Sequence, residues 1–192
     1  CYYLDCIDSQ YPFKEGILFP NTYFYKKDML ASSILKQSYN KLDLVLSELW
    51  SKKPANNILK DKNEALILAS IIEKEAGNDN EKSLIASVFL KRIEIGMRLQ
   101  ADPTIIYGLL PNFDGDIKKS DILNKNNPYN TYMIKSLPPT PIAIPSLTSI
   151  EAAVLSTPGE YLFFVANTPT SHYFSKTYDE HLSMIKTLGL NK

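Results

Sequence analysis

The sequence has almost no arginine. Arg92 and Arg98 are the only two among 21 basic residues, the rest being Lys, and 21 acidic residues bring the formal net charge to zero. A nucleic-acid binder neutralises phosphates with a basic face, so this balance argues against nucleic acid as a partner. Guanidinium forks for phosphate or carboxylate are scarce for the same reason. Histidine is limited to His172 and His181, which leaves little material for a His-rich metal site or proton relay. Cys1 and Cys6 are the only cysteines, too few and too local to staple a fold. Seven scattered glycines form no dinucleotide fingerprint, phosphate loop or nucleophile elbow, and no H-E-x-x-H zinc motif occurs. The longest uncharged apolar run in a helical pattern, Ala65 to Ile72, is far shorter than the roughly 18 residues that span a bilayer. What remains is carboxylate chemistry, or binding without chemistry.

What is present is ordinary for a globular domain. The chain has 192 residues, 44% hydrophobic and 22% charged, enough for one packed core. No signal peptide is visible. The chain opens on Cys rather than Met, so it is expected to be part of a longer protein, with residues 1–27 an irregular lead-in and 28–192 the main domain.

Apolar periodicity predicts a helix from Asp28, as N-cap, to about Lys53-Pro54, then a polar loop over 56–63. A second helix is expected from about Asn63 to Glu75, with Gly77 as its left-handed stop, and a third from Asn80 to Gly96. These two read as an αα-hairpin. Residues 97–145 hold seven of the twelve prolines and read as a long ordered loop with helical pieces around Thr104–Gly108 and Ser120–Leu123. Thr148 with Glu151 suggests a capping box for a short helix. Tyr161–Ala166 and His172–Ser175 read as a β-hairpin, and Thr177 with Glu180 caps a last helix. The fold class is α+β, mostly helical, with a small antiparallel sheet.

One carboxylate stands out. At about 100° per residue, Leu68, Ile71 and Ile72 lie at i−7, i−4 and i−3 from Glu75, so Glu75 projects from the middle of an apolar stripe. Glu73 lies roughly opposite, beside Ser70. A carboxyl group on an apolar face at a helix C-terminus is desolvated and opposed by the helix dipole, and both effects raise its pKa. A Glu kept protonated near neutral pH is what a general acid needs to cleave a glycosidic bond. The alternative is that the helix frays at Gly77 and Glu75 reaches solvent.

Several segments together resemble the endolytic murein transglycosylases of the bacterial cell envelope. They are Glu15-Gly-Ile-Leu-Phe-Pro-Asn-Thr-Tyr23, Ala69-Ser-Ile-Ile-Glu-Lys-Glu75, Ile85-Ala-Ser-Val-Phe89 and Gly96-Met-Arg-Leu-Gln-Ala-Asp-Pro-Thr-Ile-Ile-Tyr-Gly108. Pro128-Tyr-Asn-Thr-Tyr132, Leu137-Pro-Pro139, Pro141-Ile-Ala143, Tyr161-Leu-Phe-Phe-Val-Ala166, Ser171-His-Tyr-Phe174 and Glu180-His181 continue it in order.

The resemblance implies a lysozyme-like catalytic domain that cuts glycan strands internally between N-acetylmuramic acid and N-acetylglucosamine. It implies that Glu75, the second Glu of Glu-Lys-Glu, acts first as acid and then as base, giving 1,6-anhydro ends without water. Ala76 departs from the Thr often found after that Glu, which is expected to affect fine positioning only. No metal and no organic cofactor is implied. The expected partners are peptidoglycan strands and peptidoglycan synthases. Attachment to the inner membrane is expected only through a missing N-terminal helix, preceding a LysM-like region, with the catalytic domain on the extracytoplasmic side. Gln100, Asp102, Thr104, Asn130 and Thr131 are candidate sugar hydrogen-bonders, and Tyr107, Tyr129 and Tyr132 candidate stacking surfaces; each also has a structural reading. Competing functions are a non-catalytic glycan-binding module, a hydrolase using Asp102 as second carboxylate, and a pyridoxal-phosphate-dependent aminodeoxychorismate lyase.

Overall fold

The computed structural model describes residues 4–190. Its elements in chain order are α1 (Ala31–Ser51), α2 (Lys62–Glu75), a 3₁₀ turn (Asp79–Glu81), α3 (Lys82–Glu94), α4 (Asp102–Leu109) and α5 (Lys119–Ile122). Then come α6 (Leu147–Leu155), the strands β1 (Phe163–Thr168) and β2 (Ser171–Ser175), and α7 (Tyr178–Thr187). The class is α+β, as the periodicity indicates.

Helix α2 is the centre of the molecule. Its residues Ala65 to Ile72 are all buried, eight in succession, which is the signature of a helix surrounded on every side. Helices α1, α3, α4 and α6 all pack on it. Leu66, Leu68, Ile71 and Ile72 share the core with Leu42, Leu46, Ile85, Phe89 and Ile150. Each such side chain contributes about 1.5–3 kcal/mol by leaving water. The lead-in also belongs to this core: Ile7, Tyr11, Phe13, Ile17 and Phe19 are buried in it.

Several boundaries differ from the periodicity, each for a local reason. Helix α1 starts at Ala31, not Asp28; Asp28 takes a left-handed conformation (φ 69°) in the preceding turn, which Asp tolerates better than most residues. The segment expected as polar loop is anchored by buried Asn57, whose amide donates to the carbonyls of Ala153, Val154 and Ser156 and so satisfies the end of α6. The cap of α6 is Ser146, not Thr148: its hydroxyl accepts from the Ser149 amide. Thr177 and Glu180 do form a reciprocal capping box on α7. Cys6 is disulfide-bonded, which the sequence reading set aside; Cys1 lies outside the described residues.

Gly77 is not a left-handed stop. Helix α2 ends at Ala76 in extended conformation, and Gly77 instead lets the hairpin turn approach, since a Cβ there would stand 2.8 Å from the Thr170 backbone. Gly77→Ala must therefore push the hairpin away from the end of α2. The expected loss is about 1–3 kcal/mol, read as a lower midpoint in chemical denaturation, whereas Gly96→Ser, which meets open space, costs mainly its positive φ.

The strands pair antiparallel, with Phe164 opposite Phe174 and Ala166 opposite His172, and a bulge between Ala166 and Thr168. Helix α7 lies against the hairpin. The ring of Phe164 meets Phe89 edge-on at 5.7 Å, which ties the hairpin to α3. The end of α2, the end of α3, the segment around 100 and the hairpin thus converge on one place. No helix among the described residues is long and apolar enough to cross a membrane.

Candidate active site

That convergence encloses a cleft of about 420 Å³ lined by Glu75, Arg92, Gln100, Asp102, Tyr132, the β1 residues Phe163 to Ala166, His172, Tyr178 and His181. Glu75 enters it from the last turn of α2. Its carboxyl group keeps some contact with the cleft, yet so much protein surrounds it that desolvation dominates. Burial, reinforced by the negative charge of Asp102 and opposed by Arg92, pushes its pKa from the ordinary 4.5 up to about 8. A frayed helix end with Glu75 in bulk solvent is not what the chain forms: the Ala76 amide still donates to the Ile72 carbonyl.

Glu73, two residues earlier, has the opposite environment. Burial works against its ionisation, but one oxygen accepts from the Ser146 amide (3.0 Å), the Ser146 hydroxyl (2.6 Å), the Ser149 hydroxyl (2.5 Å) and Lys82 Nζ (3.2 Å). These donors win and hold its pKa down at about 2. Lys82 is itself buried and also pairs with Asp79 at 2.7 Å. Glu73 is therefore a permanent anion that clips α2 to α3 and α6, on the face away from the cleft. Two glutamates separated by one residue are driven to opposite protonation states by their surroundings.

Because the folded pKa of Glu73 lies below its unfolded value, its contribution to stability is present above about pH 4.5 and lost as pH falls toward 2. Glu73→Gln is expected to cost about 1–3 kcal/mol at neutral pH. Denaturation midpoints at pH 7 and pH 3 check this; a midpoint equal to that of the unsubstituted chain at pH 7 would contradict it.

Asp102, at the start of α4, accepts a 2.7 Å hydrogen bond from the Tyr132 hydroxyl. Burial first, and then this contact with Asp102, hold the phenol far above its usual pKa, so Tyr132 stays neutral. Gln100 adopts a left-handed backbone (φ 53°), uncommon for a non-glycine residue, beside the cleft. On the opposite wall His172 meets Glu81 through Nδ1 at 2.8 Å, and the His172 amide donates to the other Glu81 oxygen. His181 stacks on Phe163 at 5.3 Å, and desolvation followed by the Arg92 charge lowers its pKa. Among the described residues no three His, Cys, Asp or Glu cluster so as to hold a metal ion.

The sequence of this chain matches the profile of the YceG-like family over residues 4–187. The chain belongs to that family. Curated relatives are an endolytic murein transglycosylase of Bacillus subtilis (strain 168), 36% identical over 168 residues, and one of Streptococcus pneumoniae (strain D39), 32% identical over 171. Each alignment covers 87% of this chain but only 46% and 31% of the relative, so the chain spans less than half the length of the curated relatives it matches. The crystal structure of a YceG-like protein from Listeria monocytogenes superposes with a TM-score of 0.73 at 35% identity, over 88% of this chain and 54% of that one.

Among YceG-like residues singled out from the sequence, Gln100, Asp102 and Tyr132 line the cleft with Glu75. Thr104, Thr131 and Asn130 lie behind it, fully buried. The hydroxyls of Thr104 and Thr131 meet at 2.9 Å, Thr131 Oγ1 accepts from the Ala101 amide, and the Thr131 carbonyl accepts from the Gln100 amide. Asn130 donates to the carbonyls of Asp121, Ile122 and Asn124 and accepts from the Tyr132 amide. These three residues are the frame that fixes Gln100, Asp102 and Tyr132. Tyr107 and Tyr129 stand outside the cleft lining, 4.8 Å apart, with Tyr107 donating to Glu15 and Tyr129 meeting Thr140.

The sequence reading missed Arg92. It is buried, its Nε donates to the Leu162 carbonyl at 2.7 Å, and Nη1 donates to the Leu99 carbonyl. The signal was available: Arg92 is i+4 from Val88 and i+3 from Phe89, both wholly buried, so it shares their stripe.

Proposed function

We propose that this chain is the catalytic part of an endolytic peptidoglycan lytic transglycosylase, with residues 28–192 carrying the site and 1–27 leading into it. The observation that carries the reading is one cleft carboxyl, Glu75, raised to about 8, beside the exposed Asp102 and with its neighbour Glu73 held ionised on the other face of the helix. The names of the B. subtilis and S. pneumoniae relatives support the same activity.

At neutral pH Glu75 is protonated and donates to the glycosidic oxygen as its bond to the muramic acid anomeric carbon breaks. The carboxylate left behind is strongly basic, because its conjugate acid is weak, and Arg92 favours that charged form. It takes the proton of the muramic acid C6 hydroxyl, whose oxygen closes on the same carbon to give the 1,6-anhydro ring. Glu75 ends protonated, as it began, and no second carboxylate is needed. Attack by a group on the substrate itself carries a high effective molarity. In this reading Gln100, Asp102 and Tyr132 hydrogen-bond the sugar, and the exposed Tyr178 ring gives it a surface to lie on. The resulting location is the cell envelope, with anchoring to the inner membrane by sequence N-terminal to this domain and peptidoglycan synthases as working partners.

Digestion of peptidoglycan in ¹⁸O-water, followed by mass spectrometry, tests the reading. Anhydro-ended strands without label are expected. Labelled reducing ends would make the protein a hydrolase, and bound but uncut strands would make it a glycan-binding module.

A further inference from the structure

Arg92 is a buried cation with unused binding capacity. Two nitrogens anchor it, Nε on Leu162 and Nη1 on Leu99, and its guanidinium carbon lies 5.6 Å from the Phe163 ring centre. Nη2 has no hydrogen-bond partner among the described residues, and no carboxylate there hydrogen-bonds Arg92, yet the side chain lines the cleft. The acidic groups around it are otherwise engaged. Asp102 is exposed and accepts from Tyr132; both Glu81 oxygens are taken by His172; and Glu75 is largely protonated at neutral pH. Tyr132 and His181 supply no negative charge at that pH. Burying a charge without a partner is unfavourable unless a ligand provides one, and an anchored planar fork with one edge free is shaped for a carboxylate.

We propose that Arg92 binds a carboxylate carried by the glycan strand and so sets which strands the cleft prefers. The proposal rests on the transglycosylase reading above. Such a carboxylate has two sources: the lactyl group of muramic acid, free where no peptide is attached, and the acidic groups of a stem peptide. Arg92 and Glu75 line the same cleft and feel each other's charge, so a carboxylate held by Arg92 lies in the cleft where the bond is cut.

The test measures kcat/KM of the 192-residue chain on four soluble strand preparations. Two are peptide-free, with lactyl carboxylates free or methylamidated, and two bear peptides, with carboxylates free or methylamidated. Amidation is expected to lower kcat/KM about tenfold, mainly through KM, in the arm that carries the recognised carboxylate. Arg92→Gln, which keeps an amide donor near the Nε position facing the Leu162 carbonyl but loses the Nη1 and Nη2 donors, is expected to bring the free-to-amidated ratio near one. Equal cutting of free and amidated strands in both arms, with anhydro ends still formed, overturns the carboxylate role and leaves the transglycosylase reading intact. A uniform fall in kcat on all four preparations in Arg92→Gln, with the wild-type preference unchanged, makes Arg92 a positioning residue for Glu75 and overturns the proposal too. Failure to cut any preparation removes the underlying reading and this proposal with it. The wild-type comparison stands whether or not the variant folds.

Discussion

Glu75→Gln is expected to reduce strand cleavage by about 10³-fold or more while leaving the fold in place. A positioned general acid contributes typically 10²–10⁴-fold, and in the proposed mechanism one group serves both proton transfers, so its loss removes both. The substitution is nearly isosteric and removes a carboxyl group that the fold already disfavours in charged form. Stability gives an independent check. Between about pH 4.5 and 8 the native protein holds a proton on Glu75 that the unfolded chain releases, so native stability declines as pH rises through this window. Glu75→Gln abolishes that decline, and the variant should melt a few degrees above the wild type at pH 8.5. Lost activity together with gained stability separates a catalytic carboxyl from a structural one; Glu73→Gln should show the reverse pattern.

The second large effect concerns pH and Asp102. The logarithm of kcat/KM should fall with unit slope above about pH 8, as Glu75 loses the proton it must donate. Asp102→Asn removes the negative neighbour that adds to desolvation in raising that value, so the alkaline limb must move to lower pH. Desolvation is the larger cause and remains, so the midpoint should stay well above 4.5. At pH 8.5 the variant should be about three- to tenfold less active than wild type, with a smaller difference at pH 6. A hydrolase using Asp102 as second carboxylate would instead lose nearly all activity at every pH. Profiles of both proteins on one strand preparation decide between them.

How much of this was legible in the sequence depends on distance along the chain. The helix phase of Leu68, Ile71 and Ile72 is enough to put Glu75 on the apolar face of α2, because side chains three and four apart share a face whatever packs on them. The same phase implied that Glu73 faces elsewhere. It could not show that Ser146 and Ser149, more than seventy residues away, supply the donors that keep Glu73 ionised. Thr104 and Thr131 look like sugar-binding hydroxyls in a polar loop, and their mutual bond across 27 residues exists only once the loop is folded. Asn130 likewise spends its amide on three backbone carbonyls, a commitment no local pattern records. Gly77 reads from its place after α2 as a left-handed helix stop, whereas its reason is the approach of Thr170. Arg92 differs again: composition marks it only as one of two arginines, and only its place on the buried stripe of α3 with Val88 and Phe89 points to the cleft.

The central claim is that Glu75 is a carboxylic acid, not a carboxylate, in the resting cleft at neutral pH. Side-chain ¹³C NMR of selectively labelled protein, with Glu75→Gln used to assign the resonance, titrates that group directly. A midpoint near 8 is predicted. A midpoint near 4.5, with the fold intact, would contradict the account.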